Sequence, residues 1–165
     1  MLSIWHTLVA LVALQRLIEL MIARINTRNL RAAGGVEHGA GHYPVMVALH
    51  LAWLVSLVAF VPAGASVDPV LFGVFVLLLV VRLWVITSLG RYWTTRVITV
   101  PGAARVTRGP YRWLRHPNYM VVVAEIAVVP LIAGAWQIAV VFTIANAALL
   151  WHRIRIENAA LSVFN

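Results

Sequence analysis

Long apolar runs separated by short polar connectors make up most of the chain. A membrane helix needs about 20 mostly apolar residues, with a range of roughly 17 to 25. Leu2 to Ile25 meets that requirement, although Gln15, Arg16 and Glu19 interrupt it. Those internal charges, and the lack of a basic leader, make it a poor signal peptide. Tyr43 to Val61 is a second span, stopped by Pro62-Ala63-Gly64. Pro69 to Leu89 is a third, with Pro in the first turn, where its missing N–H costs nothing. Asn118 to Ala135 and Trp136 to Trp151 form a fourth and a fifth, turning near Gly134. The fifth is short, about 24 Å, and is expected to run on into the polar helix that follows. The pattern predicts an all-α fold: one membrane domain over 1–165, a bundle of five transmembrane helices with a long loop at Gly90 to Pro117 and a short C-terminal helix extension.

The connectors test this count. Arg24, Arg28 and Arg31 follow span one; Arg91, Arg96, Arg105, Arg108, Arg112 and Arg115 follow span three; Arg153 and Arg155 end span five. The connectors around Pro62 to Asp68 and around Gly134 carry no Lys or Arg. Every Arg but Arg16 and Arg82 thus falls on one side, which the positive-inside rule makes cytoplasmic. The N-terminus is expected outside and the C-terminus inside.

Composition agrees. The chain is 62% hydrophobic and 11% charged, with formal net charge +8, whereas a soluble domain is about a quarter charged. A basic chain raises nucleic acid first, but the apolar content argues for membrane lipid as the partner instead. The absence of cysteine excludes a disulfide scaffold, a thiolate zinc site and a thiol nucleophile. Dinucleotide, P-loop, H-E-x-x-H and G-x-S-x-G motifs are absent, and the His residues show no pair at metal spacing on one helix.

Chemistry is therefore sought in the long loop, since loops beyond about 12 to 15 residues are usually functional or disordered. Tyr92, Trp93, Tyr111, Trp113 and three prolines argue against disorder. The loop ends in Gly109-Pro110-Tyr111-Arg112-Trp113-Leu114-Arg115-His116-Pro117-Asn118-Tyr119. Pro117 biases His116 away from the α region, and the helix start beyond leaves first-turn N–H groups for an anion. The same composition also describes a juxtamembrane anchor, with Arg at anionic lipid and aromatics in the interface. A second polar group lies at the base of the last helix, where Arg153 and Glu157 share one face at i,i+4. Inside the spans lie Arg16, Glu19, His50, Arg82, Glu125 and Asn146. Intramembrane ionisable residues are costly and functional by default. The structural alternatives are an Arg16–Glu19 pair within its own helix and an Arg82 that snorkels. Glu125, under two turns beneath the loop, is a candidate on the substrate side. A non-enzymatic anchor protein and a transporter are the rival classes; a transporter is disfavoured by the odd span count and missing repeat.

With these residues in view, the chain resembles the isoprenylcysteine carboxyl methyltransferase family of integral membrane enzymes. The resemblance rests on Gly109-x-Tyr111-x-x-x-Arg115-His116-Pro117-x-Tyr119, followed by a helical hairpin and Arg153-x-Arg155-x-Glu157. The first span and its loop, with Glu37, His42, Tyr43 and His50, are similar to a bacterial branch, some of which is associated with O-methylation of alkylpyrones. The resemblance implies a bacterial-type inner (plasma) membrane and S-adenosylmethionine at the cytoplasmic face. Ala103, Ala104, Arg105, Val106 and Tyr111 would line the cofactor, the His116-Pro117-Asn118-Tyr119 turn would wrap it, and Glu157 would contact it. Arg153 would face the acceptor, a lipophilic small molecule or lipid-modified substrate entering from the bilayer, so Arg153 and Glu157 are the expected catalytic pair; no metal is implied. Asn158 stands where a second Glu is familiar, and the sequence ends at Asn165 before the G-x-x-Y-x-x-Y tail of longer members.

Overall fold

The computed structural model describes residues 3–162, so the predicted start at Leu2 lies outside the described residues. Five α-helices follow in order: α1 (Ile4–Ala32), α2 (Tyr43–Ala59), α3 (Pro69–Leu89), α4 (Pro117–Ile132) and α5 (Trp136–Ser162). Each begins or ends where local chemistry requires. The Ser3 side chain caps α1 by accepting from the His6 N–H at 3.2 Å. Asp68 caps α3 through its Oδ1, 2.8 Å from the Val70 nitrogen and 3.0 Å from that of Leu71. Its own N–H donates to the Ile132 carbonyl, tying the start of α3 to the end of α4. Gly134, at φ 71°, turns α4 into α5.

Among the described residues, three helices are long and apolar enough to cross a membrane: Ala40–Ala59, Pro69–Tyr92 and Trp136–Ala160. The two further predicted spans differ from that standard for separate reasons. α4 is apolar but only 16 residues long, about 24 Å. α1 has length to spare, 29 residues, but carries Arg16, Glu19, Arg24, Arg28 and Arg31. The predicted extension of span five is continuous with it, and α1 runs seven residues past its predicted end at Ile25.

The expectation of purely helical structure needs one amendment. A two-stranded antiparallel ladder joins β1 (Val36–His38) to β2 (Val97–Thr99), pairing Val36 with Thr99, Glu37 with Ile98 and His38 with Val97. Val97-Ile98-Thr99-Val100 is a β-branched run of the kind that favours extended backbone.

The core sits away from the loop, where Trp5, Trp53, Leu57, Phe75, Ile126 and Val129 pack together. Trp5 Nε1 donates to the Leu57 carbonyl at 3.1 Å, satisfying an otherwise buried indole. Large apolar side chains such as Leu77, Leu83 and Ile144 point outward, as expected for a protein whose solvent is lipid.

Beyond this core the intramembrane charges meet. Arg82 Nη1 donates to Glu125 Oε2 at 2.8 Å, Arg16 Nη2 donates to the same oxygen at 2.7 Å, and Arg16 Nη1 reaches Glu19 Oε2 at 3.3 Å. Arg82 also binds Glu19 through Nε. The Arg16–Glu19 pair within α1 is thus one edge of a four-residue network joining α1, α3 and α4. Arg82 is buried in that network and does not snorkel.

Candidate cofactor and acceptor cavity

Four segments are held around one space at the base of α4 and α5. The loop leaves α3 through a 3-10 turn at Gly90–Tyr92. Asn26 of α1 secures that exit by donating Nδ2 to the Trp93 carbonyl at 2.7 Å and to the Gly90 carbonyl at 3.2 Å. The Thr27 and Thr94 hydroxyls meet at 2.7 Å. β2 is then pinned by its ladder with β1, by the 2.8 Å contact of His38 Nε2 with Thr99 Oγ1, and by the ion pairs of Arg96 and Arg31 with Glu37. Burial alone would raise the Glu37 pKa. The two guanidiniums outweigh it and hold that carboxyl below the usual range.

The far end of the loop is equally fixed. Gly109, at φ 57°, leans on α3 so closely that a Cβ there would overlap the Ser88 side chain. Arg108 Nε donates to the Ser88 carbonyl at 2.8 Å. His116 then takes φ −133° and ψ 56°, a non-helical conformation imposed by Pro117, and α4 begins.

The space enclosed is a cavity of about 500 Å³, within the range of small-molecule sites. Ala103, Ala104, Arg105, Val106, Tyr111, His116, Asn118, Tyr119, Arg153 and Glu157 all line it. Pro117 is buried as the first residue of α4 and does not line it, and neither does Glu125, which is held by Arg16 and Arg82. Trp93, Arg96, Thr99, Arg115 and Asn158 line it without having been assigned there from sequence. The β-branched run was the available signal for Thr99, and the aromatic pair after span three for Trp93.

Its polar end is a chain of contacts. Arg153, 4% exposed, donates Nε to the Tyr119 hydroxyl at 2.8 Å and Nη1 to the Thr95 carbonyl at 2.7 Å, with Met46 Sδ 3.3 Å from Nη1. Its Nη2 makes no hydrogen bond among the described residues. The Tyr119 hydroxyl donates to Glu157 Oε2, and His116 Nδ1 lies 3.6 Å from Glu157 Oε1. Burial, reinforced by the Glu157 charge, pushes the Tyr111 phenol well above its usual range, so it remains a proton donor at neutral pH. Among the described residues no cluster of metal-ligating side chains occurs.

The family model for isoprenylcysteine carboxyl methyltransferases matches residues 70–163, which hold α3, the loop, α4 and the cavity's polar end. The chain belongs to the isoprenylcysteine carboxyl methyltransferase family. Membership implies methyltransferase activity in a membrane protein, and methyltransferases of this family generally use S-adenosylmethionine. The chain is also similar to an uncharacterized protein, YpbQ, of Bacillus subtilis (strain 168), at 38% identity over 162 residues, covering 96% of each chain. No solved structure matches the chain. For this family member, Asn26, Thr27, Glu37, His38 and Met46, all of which brace the cavity, lie outside the matched residues.

Proposed function

We propose that this chain is an S-adenosylmethionine-dependent O-methyltransferase. Its acceptor is lipophilic, either a prenylcysteine-type carboxylate or an alkylpyrone-type hydroxyl, at the cytoplasmic membrane face. The observation that carries the reading is the convergence of Tyr119, Arg153 and Glu157 on a cavity floored by an extended loop.

The donor set suits the cofactor. A carboxylate, Glu157, faces the cavity and complements a cationic sulfonium or amino group; Arg105 and Arg115 complement a carboxylate; Trp93 and Tyr111 offer flat apolar faces for a purine. When bound, the cofactor supplies an electrophilic methyl group. The chain's own work is positional: methyl transfer needs an acceptor oxygen in line with the methyl carbon and water kept out. Arg153, with two of its three nitrogens already anchored, presents Nη2 as a fixed donor to that oxygen. Glu157 holds the opposite charge on the cofactor side.

The same proposal includes five membrane crossings. The α1 charges inside the bilayer are neutralised within the four-residue network, and the short α4 starts beneath the loop. The N-terminus is then outside, the C-terminus inside, and the Arg-rich loop at the cytoplasmic face of a bacterial-type inner membrane. Calorimetry with S-adenosylhomocysteine on purified protein in detergent tests the cofactor site; no heat at millimolar ligand overturns it. Supplying labelled S-adenosylmethionine to membranes then identifies the acceptor, as label enters either extractable lipid or protein.

A further inference from the structure

Tyr119 is placed for more than packing. Its phenol oxygen accepts from Arg153 Nε at 2.8 Å and donates its proton to Glu157 Oε2. The ring lies face to face with His116, 5.4 Å between centroids and 16° between planes, which fixes where the hydroxyl points. A phenol oxygen has one proton and two lone pairs; the proton and one pair are engaged, leaving one pair for a further donor. Nη2, the unused nitrogen of Arg153, shares a guanidinium edge with Nε, so oxygens bound to that edge sit side by side. An acceptor oxygen oriented by Nη2 therefore arrives within hydrogen-bonding reach of the Tyr119 oxygen.

We propose that Tyr119 is a proton relay from a hydroxyl acceptor to Glu157. The acceptor's proton moves to the Tyr119 oxygen as the phenol proton moves to Glu157 Oε2. The acceptor oxygen forms its bond to the methyl carbon while the methyl–sulfur bond breaks, its electron pair remaining on sulfur. One sulfonium charge and one carboxylate charge disappear together, and the proton leaves through Glu157, whose side chain is 27% exposed. The relay selects a chemical class. A carboxylate is a weak base and takes a proton readily from an enol or acidic phenol, not from an aliphatic alcohol. Such an acceptor leaves hydrocarbon in its neutral form, because desolvation disfavours the anion. A carboxylate acceptor presented at the water interface has no proton to give and leaves the relay idle.

This inference rests on the methyltransferase reading, and its test separates the two. Tyr119→Phe keeps the ring and removes the relay. With a long-chain 4-hydroxy-2-pyrone as probe, its turnover at mildly acidic pH, where this vinylogous acid still carries its proton, is expected to fall about 10²- to 10⁴-fold, with KM and S-adenosylhomocysteine affinity close to those of the parent. The deficit should shrink as pH rises and the probe ionises unaided. In difference infrared spectra, adding the probe to the parent's S-adenosylhomocysteine complex should raise a protonated-carboxyl band that is absent from Glu157→Gln and from Tyr119→Phe. A band that persists in Tyr119→Phe, no band in the parent, or a turnover deficit independent of pH overturns the relay. Failure of the parent to bind S-adenosylhomocysteine overturns the methyltransferase reading itself.

Discussion

Arg82 Nη1 lies 2.8 Å from Glu125 Oε2, an ion pair between α3 and α4 with the Glu125 side chain fully enclosed. Arg16 shares that carboxylate oxygen, and Glu19 closes the network. Removing one member leaves a buried charge uncompensated, which typically costs 3–5 kcal/mol, whereas replacing a whole pair by apolar groups is often neutral. Arg82→Met should therefore lower the unfolding midpoint in detergent strongly. Arg82→Met combined with Glu125→Met should recover much of that loss. A double variant no more stable than the single one would contradict this account.

Gly109 meets α3 with a positive φ and no room for a Cβ. Gly109→Ala should cost about 1–2 kcal/mol from backbone handedness alone, and more from the overlap with Ser88. Adding Ser88→Gly should return the steric part but not the backbone part, a split that thermal unfolding can read.

These two regions were unequally legible. The five helices follow from local pattern, because each depends on residues close in sequence, whereas the meeting of His116 and Tyr119 with Arg153 and Glu157 is implied by the family resemblance, since one pair lies at the start of α4 and the other on α5. The four-charge network follows from neither, since Glu19, Arg82 and Glu125 come together only when three helices pack. The β1–β2 ladder was hidden differently: three residues on each side are too few to show a period, and their partners lie about sixty residues apart. Glu125 looked close to the site because it lies less than two turns below Tyr119. The two guanidiniums hold it elsewhere.

Glu37 gives the protein an acid-sensitive latch. Its pKa is lower in the folded chain than in the unfolded one, because Arg96 and Arg31 outweigh the burial that opposes them. The stabilisation is thus present above the ordinary carboxylate value and is lost as pH falls through the lower, folded one. A partly exposed pair is worth at most about 1 kcal/mol, so Glu37→Gln should reduce the neutral-pH Tm by about 2–4 °C. The gap between parent and variant should close on acidification. A gap that widens as pH falls would assign Glu37 the wrong sign.

Glu157→Ala should weaken S-adenosylhomocysteine binding about 10- to 100-fold, the worth of one charge-assisted hydrogen bond. Arg153→Ala should leave that affinity nearly intact and lower kcat about 10²- to 10³-fold, as loss of a fixed donor at the reacting oxygen does. Equal losses of both quantities in the two variants would contradict the separate roles.

The sequence contains no cysteine, so single-cysteine reporters carry no background. Ser66 and Arg105 are both exposed, one in the connector before α3 and one in the long loop. In intact cells an impermeant maleimide should label Ser66→Cys and spare Arg105→Cys until the membrane is opened. The reverse pattern would invert the topology.

The ladder between β1 and β2 has a consequence for how the protein is made. β1 leaves the ribosome before α2 and α3 exist, and it must wait at the membrane face until both have inserted and the loop returns with its partner strand. Proper delivery of those two helices thus becomes a precondition for closing the cavity that β2 lines. A chain that inserts them wrongly is left without that cavity rather than with a misdirected one.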